Sequence, residues 1–97
     1  PAKVPQIAFI SPAEGQILSE VKNILVKIRA AFPLREVSLF IEDELTSTRT
    51  SPILSENINF ILTSPLGKGQ YKIKITAYDA VGNKETKEMG LTVSLNE

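Results

Sequence analysis

Between Gly67 and Lys84 the chain reads G-K-G-Q-Y-K-I-K-I-T-A-Y-D-A-V-G-N-K, and that stretch leaves little freedom of fold. Tyr71, Ile73, Ile75 and Ala77 alternate with Lys72, Lys74, Thr76 and Tyr78. Successive side chains leave a strand on opposite sides, so period two predicts one buried and one wet face. Asp79-Ala80-Val81-Gly82-Asn83 then predicts a tight reversal into a further strand, with Gly82 supplying a positive φ and Asp79 accepting backbone N–H groups.

The same alternation recurs along the chain. Strands are expected over Gln6 to Ile10, Val21 to Ala31, Glu36 to Glu42, Asn57 to Thr63, Tyr71 to Tyr78 and Glu85 to Leu95. Ile24, Val26, Ile28 and Ala30 share inward parity, as do Val37, Leu39 and Ile41, then Ile58, Phe60 and Leu62, then Met89, Leu91 and Val93. Ser11-Pro12, Pro33, Ser51-Pro52 and Ser64-Pro65 punctuate these runs. Leu45 to Thr50 reads as a short polar edge segment, the kind of strand that resists pairing with a neighbour. Six or seven short strands without an amphipathic helical stretch predict an all-β sandwich of antiparallel strands. At 97 residues the chain is one domain, with Pro1 to Pro5 expected as an extended linker. Opening on Pro1 without methionine, it is expected to be part of a longer polypeptide.

Composition removes several functions. Eleven basic and eleven acidic residues cancel, which gives no electrostatic basis for nucleic acid or anionic membrane as a partner. Without cysteine there is no thiol catalysis, redox switching or zinc finger. No apolar run is long enough to span a membrane. With no histidine either, no familiar catalytic triad can be assembled. Glu42-Asp43-Glu44 are consecutive acids in a reversal; they point apart into water rather than face each other across a cleft, as glycoside hydrolysis requires. An enzyme reading therefore fails, and no cofactor is expected.

Three segments in order, Ile10-Ser11-Pro12-Ala13-Glu14-Gly15, Val37-Ser38-Leu39-Phe40-Ile41-Glu42-Asp43, and Gly69-Gln70-Tyr71 through Asp79 to Asn83, resemble the bacterial Ig-like domains. These are accessory modules of surface, secreted and cell-wall-associated proteins. The resemblance spans nearly the whole chain. It departs from the family at Ala31-Phe32-Pro33-Leu34, where an Asp and Gly are common, at Asp43-Glu44 in place of Asp-Gly, and in having Phe60 but no tryptophan. It implies an Ig-like, fibronectin type III-like β-sandwich.

The resemblance also frames the candidate residues. Some related domains hold calcium with an Asp at the corner occupied by Asp79. Asn83 and Glu85 are nearby, but the loop that would supply a second Asp offers Ala31, Phe32 and Pro33, so Asp79 is expected to build a turn rather than bind metal. Tyr71 resembles a tyrosine corner, its hydroxyl bonding back to nearby backbone. In this family the third strand neighbours the long one, which implies that Phe40, Tyr78, Lys72 and Lys74 share an outer face. That mixed cationic and aromatic surface is the candidate ligand or partner surface. Leu25 and Ile61 form a smaller outward pair on the other sheet.

Together these readings imply a non-catalytic spacer or accessory module of a multidomain bacterial cell-envelope or extracellular protein. Its expected partners are neighbouring domains of the same polypeptide, and it is expected to be monomeric. The alternatives are a carbohydrate or cell-wall binding module, with cell-wall glycan as partner, and an adhesin repeat making protein-protein contacts.

Overall fold

A computed structural model describes residues 3–94, and every regular element in it is a strand. They are β1 (Gln6–Ser11), β2 (Ile17–Leu18), β3 (Val21–Arg29), β4 (Leu34–Ile41), β5 (Glu44–Thr50), β6 (Asn57–Leu66), β7 (Gly69–Asp79) and β8 (Lys84–Val93). They form a three-stranded sheet, β1-β3-β6, and a five-stranded sheet, β2-β8-β7-β4-β5. All pairings are antiparallel except β2 with β8, which is parallel. The all-β sandwich expected from the alternating runs is the fold observed.

Inward parity selects the core. Ile24, Val26 and Ile28 from β3 and Ile58 and Phe60 from β6 face Val37, Leu39, Ile73, Ile75, Ala77, Met89, Leu91 and Val93 from the larger sheet, all buried. Burying each larger apolar side chain contributes roughly 1.5–3 kcal/mol, which makes this shared interior the main favourable contribution to folding. Ile41, Leu62 and Tyr71 pack at the rim of this cluster rather than inside it.

Several boundaries differ from expectation, each for a local reason. β3 ends at Arg29, so Ala30 is exposed rather than inward. β4 starts at Leu34, which is buried, and ends at Ile41. The reversal expected over Glu42-Asp43-Glu44 is a turn centred on Glu42 and Asp43, at φ 52° and 66°, with Glu44 already opening β5. β6 runs on through Ser64-Pro65 because it is an edge strand, where proline removes no ladder bond. The two-residue β2 was not anticipated, since such a short segment has no readable period. Pro5, placed in the expected linker, is fully buried. Pro1, Ala2 and Leu95 lie outside the described residues.

The topology separates two poles. Gln6 pairs with Arg29 and Leu34 with Asp79, which puts the start of β1 beside the end of β7. Gly69 pairs with Val93 at the opposite pole, next to the β4–β5 hairpin. The described chain therefore enters at one pole and leaves at the other of a body measuring 48 × 27 × 22 Å.

Candidate functional site

The outer face of the five-stranded sheet carries the four candidate residues, and register decides how they meet. Phe40 lies opposite Lys74, Ser38 opposite Thr76, and Glu36 opposite Tyr78. Phe40 and Tyr78 thus share a face but are separated by the Ser38–Thr76 row. Four residues of strand, roughly 13 Å at 3.3 Å each, divide them. They form two separate aromatic positions rather than one platform.

Each ring is also covered. The Lys74 ammonium sits 4.7 Å from the Phe40 centroid. Lys84 and Arg35 lie 5.5 and 5.8 Å from the Tyr78 centroid. Such cation–π contacts keep long aliphatic stems over the rings, and both aromatics are only half exposed. The other two lysine contacts tie the face to the β4–β5 hairpin. Asp43 pairs with Lys72 at 2.8 Å and with Lys74 at 3.7 Å. The hydrogen bond from Lys72 holds the Asp43 carboxyl below its ordinary value, and the same bond raises Lys72.

Between the two rings runs a row that only register assembles. Thr48, Ser38, Thr76 and Thr86 stand side by side across β5, β4, β7 and β8. The Ser38 and Thr48 hydroxyls are 3.2 Å apart and those of Thr76 and Thr86 are 3.4 Å apart. Ser38 and Thr76 are almost fully buried by their taller neighbours. Further along the face, Gly90 floors an open depression of about 720 Å³ bordered by Glu14, Glu42, Gln70, Lys72 and Glu88.

Two acids of the hairpin, Glu42 and Asp43, bond to β7. A Glu42 carboxylate oxygen accepts the Lys72 N–H at 2.6 Å, while Glu42 donates its own N–H to the Lys72 carbonyl. Asp43 serves the two lysines. Among the described residues no group of His, Cys, Asp and Glu is placed to hold a metal ion.

Two corners close the ends of β7. Asp79 is fully buried, and one carboxylate oxygen accepts the N–H groups of Val81 and Asn83 at 3.0 and 2.8 Å. The other oxygen accepts the Asn83 side-chain amide at 2.7 Å. Burial pushes the carboxyl up, but the bonds from Asn83, Val81 and Gly82 together outweigh it and hold Asp79 below its ordinary value. The turn reading of Asp79 is the observed one, with both oxygens taken by local donors. At the other end the Tyr71 hydroxyl donates to the Gly67 carbonyl at 2.9 Å, and its ring packs 3.6 Å from the position a Cβ on Gly69 would take. The tyrosine corner is present as expected.

No family model matches the chain, and a search of curated proteins finds no relative. Solved structures do match its fold. The fibronectin(III)-like modules of Clostridium thermocellum CbhA superpose with a TM-score of 0.68 at 18% identity, covering 95% of this chain and 99% of theirs. CopC from Methylosinus trichosporium OB3b superposes with a TM-score of 0.66 at 13% identity, covering 95% of this chain and 97% of its own. The chain is an Ig-like, fibronectin type III-like β-sandwich of a kind found in bacterial proteins.

Proposed function

We propose that the chain is a non-catalytic spacer module of a multidomain bacterial envelope or extracellular protein, whose task is to hold neighbouring domains of the same polypeptide at fixed distance and orientation. The observation that carries this reading is the pole-to-pole path of the chain through a 48 Å body with a continuous core. A module whose ends emerge at opposite poles separates its neighbours by its own length. The two corners of β7 stiffen it where those neighbours would attach. Its fibronectin(III)-like structural neighbours in CbhA are modules too, which agrees with this role.

The test places spin labels at Lys3 and Ser94 and records their distance distribution by pulsed electron resonance. A spacer gives one narrow peak that persists when a folded domain is fused at either end. A broad distribution, or one that collapses on fusion, rejects the reading.

A second reading is a glycan-binding face. It is favoured by the hydroxyl row between Phe40 and Tyr78, with Lys72 and Lys74 beside it, since sugars are recognised by hydroxyl hydrogen bonds and aromatic faces. Binding there would have to displace Lys74 and Lys84 from the rings, and for that reason it ranks second. Titration with soluble peptidoglycan fragments and common glycans, followed by amide NMR, separates the two. Shifts clustered at Phe40, Thr76 and Tyr78 favour the glycan, and a flat response removes it.

A further inference from the structure

Every open sheet leaves N–H and C=O groups along its outer strands, a ready template for another chain. The three-stranded sheet has β1 and β6 as its edges. β6 is the more exposed to misuse. Asn57 to Thr63, read N-I-N-F-I-L-T, holds no charge, no proline and no glycine, which is the composition of segments that stack as added strands. Ile61 on this strand is 77% exposed. The neighbouring edge on the same flank, β5, is different in kind. It reads E-L-T-S-T-R-T and carries an irregular register against β4 between Leu39 and Phe40.

One side chain crosses from the polar edge to the apolar one. Arg49 leaves β5 with the inward parity of its partner Val37. Its guanidinium donates to the Asn59 carbonyl at 2.9 Å and lies 5.4 Å from the Phe60 centroid. The Asn59 carbonyl sits in the middle of the uncharged run and is used by no ladder partner on that side. A charged donor there occupies the acceptor an added strand would need, and places a cation where that strand would lie. The opposite flank repeats the device: the Lys87 ammonium reaches from β8 to the Ile7 carbonyl on β1 at 3.1 Å.

We propose that the β6 edge is a strand-addition surface for a second copy of this chain, and that Arg49 keeps it closed. Antiparallel pairing of two β6 strands about Phe60 sets Asn59 of one copy opposite Ile61 of the other and joins two three-stranded sheets into one. Such a contact is isologous and self-complementary, and needs no partner of other sequence. A module repeated or crowded within one polypeptide meets copies at high effective concentration, where an uncapped edge is most costly.

The experiment compares wild type with Arg49→Met, which keeps an apolar stem over Phe60 but removes the donor and the charge. By analytical ultracentrifugation wild type stays monomeric, and Arg49→Met shows a weight-average mass rising with concentration toward twice the monomer. Adding Ile61→Pro to Arg49→Met removes an N–H from the outer side of β6 without touching the core, and returns the protein to monomer. A folded Arg49→Met that remains monomeric overturns the proposal, as does a dimer that survives Ile61→Pro. If Arg49→Met does not reach the native fold by circular dichroism, Arg49→Lys serves in its place. It keeps charge and stem but not the fork, and on this proposal it associates more than wild type does; a folded Arg49→Lys as monomeric as wild type at every concentration would again overturn it.

Discussion

The two ends of β7 are both pinned by a side chain bonding to nearby backbone, yet they use opposite chemistry. At one pole the buried Asp79 carboxylate accepts from Val81 and Asn83. At the other the half-buried Tyr71 hydroxyl donates to Gly67. The difference lies in what is left behind on loss. Without Asp79, the N–H groups of Val81 and Asn83 and the Asn83 amide lose their acceptor together in a part-buried turn, and an unmade bond out of bulk water costs more than a made one contributes. Without the Tyr71 hydroxyl, the Gly67 carbonyl stands at the surface and water can replace the donor. The Asp79 corner should therefore dominate stability although both look alike in connectivity.

Mutation at each corner tests that ranking. Asp79→Ala is expected to lower Tm by roughly 10 °C in calorimetry, given what stranded donors cost in a domain this small. A fall no larger than that of Tyr71→Phe would break the comparison. Acid sharpens it. Because the folded Asp79 carboxyl titrates below its ordinary 3.8, ionisation favours the folded state. That contribution is complete above pH 3.8 and is lost as pH falls through the lower folded value. The Tm gap between wild type and Asp79→Asn should consequently narrow as pH drops below 3.8 and stay constant above about pH 5. A gap independent of pH would remove the role assigned to the charge.

Tyr71→Phe keeps the ring against Gly69 and deletes one bond, so a loss of about 0.5–1.5 kcal/mol in denaturant unfolding is expected, with no change in its dependence on acid. Asp43→Asn is the smallest. Asp43 is exposed and its pairs with Lys72 and Lys74 are open to salt, so Tm should move by about a degree at most at physiological ionic strength and not at all near 1 M salt. A larger fall would mean that the hairpin, and not the corners, anchors β7.

Much of this architecture is legible in the amino-acid sequence. Alternation placed Ile73, Ile75, Val37, Leu39, Ile58 and Phe60 inside, because a buried face imposes period two on the residues that build it. The Asp79 turn and the Tyr71 corner were readable because both are local: the donor and acceptor lie within four residues. Boundaries were less so. Pro33 hides Leu34 as the start of β4, and Glu42 and Asp43 do not announce the positive φ that both adopt, because neither is the glycine or asparagine that usually marks it.

What lies between strands followed no such rule. Parity turned Phe40 and Tyr78 outward and the family resemblance implied neighbouring strands, but only the pairing of Phe40 with Lys74 and of Glu36 with Tyr78 separated them and set the hydroxyl row in between. The Arg49 to Asn59 contact joins strands of different sheets, and nothing along β5 announces it. Side-chain direction is a property of a strand by itself. Neighbours across a sheet or between sheets depend on register and packing, which one chain's alternation leaves open until the whole sandwich closes.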